Sequence, residues 1–297
     1  MRNPKISVIV PTYHRADRVT VAIDSILNQT YNNYEIIIAD DNRPGSEYQK
    51  QTMLKLSKYE DNEKVKIVHT TGSTGGGAAR NYAVKFATGE YLAFLDDDDE
   101  FLPDKLETQI QYMLTHNLDM SYQDIAWYNE RGNLVEYRKL DHVKTFTKNE
   151  LLRANILTPI SPTAIYMLKK ELFEKTKGFG EVIMGQDWFL MLRCIEADAK
   201  IGYMKGVHVH QYLSSGPRIS TGDNKIKGEE FLYKYKKKYY YLLSEKDIKY
   251  VDFRHYAVLA FACKRSGFYF RALKYAIKTF FVSPVYCLEQ GRRFFRK

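Results

Sequence analysis

The sequence predicts an α/β protein: a mostly parallel sheet with helices on both faces, followed by a helical extension. Three observations predict it. Short apolar runs alternate with helical stretches through the first hundred residues. Three of these runs end in a polar or acidic cluster. From about residue 226 the chain reads as helix throughout, and that part is strongly basic.

Ile6-Ser7-Val8-Ile9-Val10 is a β-branched run stopped by Pro11, hence a strand and a turn. Asp17 is placed to cap a helix carrying Val21, Ala22, Ile26 and Leu27 on one stripe. Tyr34-Glu35-Ile36-Ile37-Ile38-Ala39 is a second strand, ending in Asp40-Asp41-Asn42. A helix over about 46–59 and the strand Val65-Lys66-Ile67-Val68 follow. Glycines from Gly72 to Gly77 lead into a helix over about 78–87. Tyr91-Leu92-Ala93-Phe94-Leu95 then runs into Asp96, Asp97, Asp98 and Asp99. Continuous apolar strands joined by helices belong to a parallel sheet covered on both faces, and ligands of such sheets bind beyond the strands' carboxyl ends. Further on, the pattern predicts a helix over about 103–116, strands near 119–127, 134–137 and 163–167, a helix over about 187–197 and a strand over about 201–211. Alternation puts His208 and His210 on one face of that last strand.

The composition narrows the function classes. Of 297 residues 44% are hydrophobic and 27% charged, which excludes wholesale disorder. Three cysteines, Cys194, Cys263 and Cys287, make no disulfide framework and fit a reducing compartment. No secretory leader and no apolar run of membrane-spanning length is read, so a cytoplasmic location is expected, with a peripheral place at the cell membrane open. The net charge of +9 is uneven. Residues 225–297 hold 18 Lys and Arg against 6 Asp and Glu, and residues 1–224 hold 27 against 30. The expected division is a catalytic domain over 1–225 and a basic aromatic extension over 226–297.

Four adjacent aspartates after a buried strand repel one another unless something neutralises them. A divalent cation, Mg²⁺ or Mn²⁺, suits carboxylate oxygens and brings substrate phosphates with it. A nucleotide diphosphate is the ligand this suggests. Asp40-Asp41 would then contact its base, the bland alternative being a turn at Asp41-Asn42-Arg43-Pro44. Asp99 can also be read as a cap for the helix after Pro103.

These residues resemble a known family. Pro11-Thr12-Tyr13-His14-Arg15, Asp40-Asp41-Asn42, Ala79-Arg80-Asn81, Asp96-Asp97-Asp98 and Pro103-Asp104 come in the order and spacing of family-2 glycosyltransferases of the GT-A fold, over about residues 4–225. The resemblance implies a Rossmann-like sheet, a nucleotide-sugar donor, UDP-linked by preference, a divalent metal and inversion at the anomeric carbon. It implies that Pro11, Thr12, Tyr13 and Arg15 line the nucleoside loop and that Asp41, or else Asp40, meets the base. Arg80 is implied near base and phosphates, Asp96 or Asp97 toward the ribose, and Asp98 on the metal. In Gly185-Gln186-Asp187-Trp188, Asp187 matches the family's general base, with Gln186 where the family has Glu. Asp187 also reads as a helix N-cap. His210 is a candidate second metal ligand beside the reading of an edge histidine, and Arg218 a candidate contact to the leaving diphosphate from a closing loop. The implied acceptor is a saccharide hydroxyl on a polyprenyl diphosphate, as in bacterial O-antigen and capsule transferases.

In the extension, Arg271, Lys274 and Lys278 form one basic stripe beside Phe268, Leu273, Ile277, Phe280 and Phe281. Such a segment fits an anionic membrane surface, or packs its apolar side on the protein and leaves a solvated basic outside. Nucleic-acid binding through this tail leaves the acidic sheet edge unexplained. A dinucleotide oxidoreductase would carry GxGxxG after the first strand, where this chain has Pro11-Thr12-Tyr13-His14-Arg15. A non-catalytic nucleotide-sugar binder on the same fold is the remaining alternative.

Overall fold

The structure is a computed structural model, and it describes residues 2–182, 184–213 and 222–295. The chain forms two compact units: one of residues 1–148, 160–181 and 187–214, the other of residues 149–159, 182–186 and 215–297. The second unit thus takes two short segments lying N-terminal to the division expected at residue 225.

In the first unit the chain alternates β1 (Ile6–Thr12), α1 (Ala16–Leu27), β2 (Tyr34–Asp40), α2 (Glu47–Leu56), β3 (Val65–His69), α3 (Gly76–Val84) and β4 (Tyr91–Phe94). There follow β5 (Glu100–Phe101), α4 (Lys105–Thr115), β6 (Met120–Asn129) and β7 (Leu134–Arg138). After α5 (Lys148–Leu157) come β8 (Met167–Lys169), α6 (Lys170–Lys175), α7 (Gln186–Glu196) and β9 (Ile201–Leu213). The strands make one mixed sheet in the order β3-β2-β1-β4-β8-β6-β9-β5, with β7 paired to β6. β1 is parallel to β2 and β4, and β2 to β3; the three-residue β8 runs antiparallel between β4 and β6. The unbroken apolar runs become the buried centres of these strands: Val8, Ile9, Ile36, Ile37, Ile38, Leu92 and Phe94 are all at 0% exposure.

The register aligns the carboxyl ends. Thr12 lies opposite Asp40, Asp40 opposite His69, and Ile9 opposite Phe94, just before the four aspartates. The polar clusters therefore gather at one edge, as the parallel reading requires.

Three local expectations are corrected. The run at 163–167 is a 3₁₀ turn over Thr163–Ile165, and the strand is Met167–Lys169. A short buried apolar run does not reveal its own conformation. Asp17 sits in the first turn of α1, whose N-cap position is Arg15 without a side-chain cap. Asp99 is a tie between strands rather than a helix cap: its carboxylate accepts Gln211 Nε2 at 2.6 Å and the Tyr212 N–H at 3.1 Å, holding the β4–β5 turn to β9.

In the second unit α8 (Gly222–Lys237) is followed by α9 (Glu245–Arg265), α10 (Tyr269–Val282) and α11 (Pro284–Phe295). α9 opens with a capping box between Ser244 and Asp247. Asp247 also accepts Arg153 Nε at 2.9 Å and Nη2 at 3.0 Å. Ile226, Leu259, Ala262 and Cys263 form the small core, with Ala272 and Tyr275 packed on it.

Candidate active site

The edge is built around carboxylates that are already engaged. Asp40 is fully buried; its Oδ1 accepts the Asn42 N–H at 3.1 Å and Nδ2 at 2.7 Å, and its Oδ2 accepts Gln49 Nε2 at 3.1 Å and faces His69 Nδ1 at 3.0 Å. Asp41 is 3% exposed and holds the glycine loop. Its Oδ1 accepts the Thr70 hydroxyl, the Thr74 N–H at 3.0 Å and the Thr74 hydroxyl at 2.7 Å; its Oδ2 accepts the Gly75 N–H at 2.9 Å. Gly72 must be glycine here, because its φ is +90° and a Cβ would lie 2.7 Å from the Arg43 Cα. The loop delivers the start of α3, where free N–H groups favour an anion.

β1 runs through Pro11, where the sequence predicts a stop, because the parallel ladder to β2 continues to Thr12. Pro11 is half-buried and the Thr12 hydroxyl donates to Asp97 Oδ2 at 2.8 Å. Tyr13, His14 and Tyr48 stack as a trio, with ring centroids 3.8 and 3.7 Å apart. Tyr13 is 42% exposed, and its hydroxyl accepts from Ser73 Oγ at 3.2 Å. This flat aromatic surface was legible only as Tyr13, since Tyr48 lies on α2.

Three of the four aspartates after β4 divide between two arginines. Arg15 Nη1 lies 3.1 Å from Asp97 Oδ1 and 2.7 Å from Asp98 Oδ2. Arg80, itself buried, pairs through Nη2 with Asp96 Oδ1 and lies over the Phe179 ring at 5.4 Å. Burial pushes the Asp97 carboxyl up to about 6, with Arg15 and Thr12 offsetting part of it. Asp98 is also raised by burial, against Arg15. Asp99 is raised by burial and by the Asp96 and Asp98 charges. Burial works against the Arg15 charge, but Asp97 and Asp98 outweigh it and its pKa is raised.

Asp187 lies in the first turn of α7, one position inside the helix, and remains partly exposed. Its Oδ1 accepts the Trp188 N–H at 2.9 Å. Burial of the carboxyl raises its pKa, while that N–H, the Ser161 side chain and the Arg80 charge oppose the shift. Arg80 is thus within electrostatic reach of both Asp96 and Asp187. Asn81, next to it on α3, receives the Phe179 N–H at 2.9 Å and donates to its carbonyl at 2.8 Å. Ser161 and Phe179 are positions that no motif announces, and the Ala79-Arg80-Asn81 motif does not reveal that Asn81 clamps Phe179.

His208 and His210 separate in their partners. His208 Nδ1 is 3.0 Å from Asp104 Oδ1. His210 lies opposite Glu100 in the β5–β9 ladder, its ring 4.4 Å from that of Tyr128, and burial lowers its pKa against Glu100. Among the described residues no three His, Cys, Asp or Glu side chains gather into a metal cage. Arg218 lies outside the described residues.

Residues 7–176 match the family model described as "Glycosyl transferase family 2". The chain belongs to glycosyltransferase family 2. Over 225 residues, 75% of the chain, it is 38% identical to an uncharacterized glycosyltransferase of Rickettsia conorii, covering 34% of that relative. Over 142 residues, 47% of the chain, it is 32% identical to the Escherichia coli UDP-Glc:alpha-D-GlcNAc-diphosphoundecaprenol beta-1,3-glucosyltransferase WfgD, covering 54% of it. The match therefore spans about a third to a half of these relatives' length. Staphylococcus aureus TarS 1–349 in complex with UDP-GlcNAc superposes with a TM-score of 0.64 at 20% identity, over 97% of this chain and 92% of that one. That likeness shows the GT-A-like fold.

Proposed function

We propose that the chain is an inverting transferase that moves a hexose from a nucleotide sugar, a UDP-sugar by preference, to a hydroxyl of a saccharide acceptor. The observation that carries this reading is Arg80. Its buried guanidinium pairs with Asp96, and its charge is the smallest of the named influences that oppose the burial of the Asp187 carboxyl.

In this reading the flat surface of Tyr13 and the acids Asp40 and Asp41 receive the nucleoside, with Asp41 acting through the loop it holds. Pro11 and Thr12 shape that pocket, Asp96 or Asp97 meets the ribose, and Arg80 faces the phosphates. Asp187 takes the proton of the acceptor hydroxyl as the sugar is displaced; its raised pKa makes it a stronger base than a solvated carboxylate. Asp98, with His210, would hold Mn²⁺ or Mg²⁺. The acids fit such a group, because Asp97 and Asp98 already share a cationic partner in Arg15. With no cage of three side chains among the described residues, diphosphate oxygens and water would complete the shell. A divalent cation supplies neutralisation of charge on the departing diphosphate. Arg218 would meet that diphosphate.

The activity in WfgD's name, a UDP-glucose transfer to a diphosphoundecaprenol-linked sugar, supports a lipid-linked acceptor here, hence bacterial polysaccharide synthesis at the cytoplasmic face of the cell membrane. The Pyrobaculum calidifontis mannosyltransferase in complex with GDP-Man and Mn²⁺, with a TM-score of 0.59, supports a metal on this fold.

Asp187→Asn tests the reading. Transfer should fall by about 10³-fold, while UDP-sugar binding by calorimetry stays within about twofold. Near-normal turnover would remove Asp187 from the role. Binding of the donor without any transfer by the unsubstituted chain would leave a nucleotide-sugar binder.

A further inference from the structure

We propose that the outward face of α10 docks the chain on an anionic lipid bilayer. The proposal deepens the proposed function and rests on its lipid-linked acceptor for its purpose, but its geometry stands in the second unit alone.

At about 100° per residue, the circumference of α10 divides into three sectors. One packs inward: Ala272 and Tyr275 lie on the small core and Thr279 is buried. A second is apolar and faces outward: Tyr269, Phe270, Leu273, Ile277, Phe280 and Phe281 are all exposed, Phe270 at 93% and Phe281 at 78%. Val285 and Leu288 on α11 are also exposed. The third sector, beside it, carries Arg271, Lys274 and Lys278, all exposed, and α10 has no acidic residue.

A helix that serves only a protein core turns its most apolar stripe inward. Here the inward sector is Ala, Tyr and Thr, and the phenylalanines face away. The apolar stripe of α10 is therefore not the side that meets this small core. An exposed apolar patch of this kind marks an interaction surface. The row of cations along its border selects the occupant: apolar side chains entering the acyl boundary while Lys and Arg meet anionic headgroups is the interfacial-helix arrangement. No helix among the described residues is long and apolar enough to cross a membrane, so the contact is a docking one.

The test is flotation of the full chain, free of donor and metal, with vesicles of phosphatidylcholine or of phosphatidylcholine with phosphatidylglycerol. The chain should float with the anionic vesicles, far less with the neutral ones, and be released by high salt. Phe270→Ser with Phe281→Ser should lower the bound fraction roughly tenfold, and Lys274→Glu with Lys278→Glu by a similar factor. Both pairs are solvent-facing, so circular dichroism and transfer to a water-soluble acceptor should stay unchanged. Failure of the unsubstituted chain to float, or flotation of both variants at its level, overturns the proposal. So does a concentration-dependent dimer in lipid-free solution that Phe270→Ser/Phe281→Ser abolishes, since the face would then belong to a second copy. Asp187→Asn should float normally. A lost transfer with intact flotation, or the reverse, therefore separates this proposal from the catalytic one.

Discussion

The sheet edge of the first unit and the last helices of the second handle charge in opposite ways. At the edge, Asp40, Asp41, Asp97 and Asp99 are buried, and each has its oxygens taken by amides, hydroxyls or a guanidinium. On α10 the cations are exposed beside exposed aromatic rings, with a loose Arg271–Glu230 pair at 3.9 Å and Lys278 over the Tyr256 ring at 5.1 Å. Enclosed charge demands partners at defined distances, because an unmatched buried ion costs several kcal/mol. Exposed charge demands nothing locally and is free to meet a surface. On the proposals above, the contrast separates a place organised to hold a small polar ligand from one organised to meet an extended partner. The net positive charge lies with the exposed cations, in residues 225–297.

The contrast breaks most visibly if an enclosed acid proves dispensable. Asp41→Ala strands four donors from Thr70, Thr74 and Gly75. With about 1 kcal/mol or more for each buried group left unpaired, the expected loss is about 3–5 kcal/mol by urea unfolding, together with loss of donor binding. A loss below about 1 kcal/mol would mean that the glycine loop is held by something else. Substitution of an exposed cation on α10 should move stability by no more than about 0.5 kcal/mol.

Asp98 and Asp187 stand out as candidates because they sit in contiguous motifs, and β1 to β4 were legible because a parallel sheet writes buried strands as unbroken apolar runs. What joins distant positions was not legible. Phe179 meets Asn81 across 98 residues, and Gln211 meets Asp99 across 112; nothing in either local stretch marks the partner. The 163–167 run shows a related limit, since a buried apolar segment is equally consistent with a 3₁₀ turn or a strand. On α10 the periodicity revealed the stripe but not the side to which it turns, and the neighbouring helices decide that.

Lys105 sharpens the comparison from inside the first unit. It is a fully buried cation whose Nζ has no hydrogen-bond partner, lying 4.0 Å from the centre of the Phe101 ring. Burial lowers its pKa from 10.5 to about 7. The unfolded chain therefore binds the extra proton between about pH 7 and 10, and stability should rise with pH across that window. Lys105→Met should remove the rise and stabilise the protein at pH 7 by about 2 kcal/mol, after the lost cation–π contact is counted. Urea unfolding at pH 7 and pH 9 measures both. An unchanged slope would mean that the ammonium finds water in solution.

The smallest effect concerns Arg15, the one cation shared by Asp97 and Asp98. A divalent ion on Asp98 would compete with the Nη1 that already lies 2.7 Å from its Oδ2. If these acids are engaged by default, as the comparison holds, Arg15→Gln should leave them less compensated and bind Mn²⁺ more tightly in the absence of nucleotide, roughly tenfold by titration with paramagnetic detection, or about 1.4 kcal/mol. The same variant should lower the metal-free melting temperature, since two enclosed carboxylates lose their cation, and added Mn²⁺ should restore it. Weaker Mn²⁺ binding would show that Arg15 shapes the carboxylates for the metal rather than standing in its place. That outcome would also leave the edge incomplete without its ion, and the distinction between enclosed, satisfied charge and free charge would then hold only for the loaded protein.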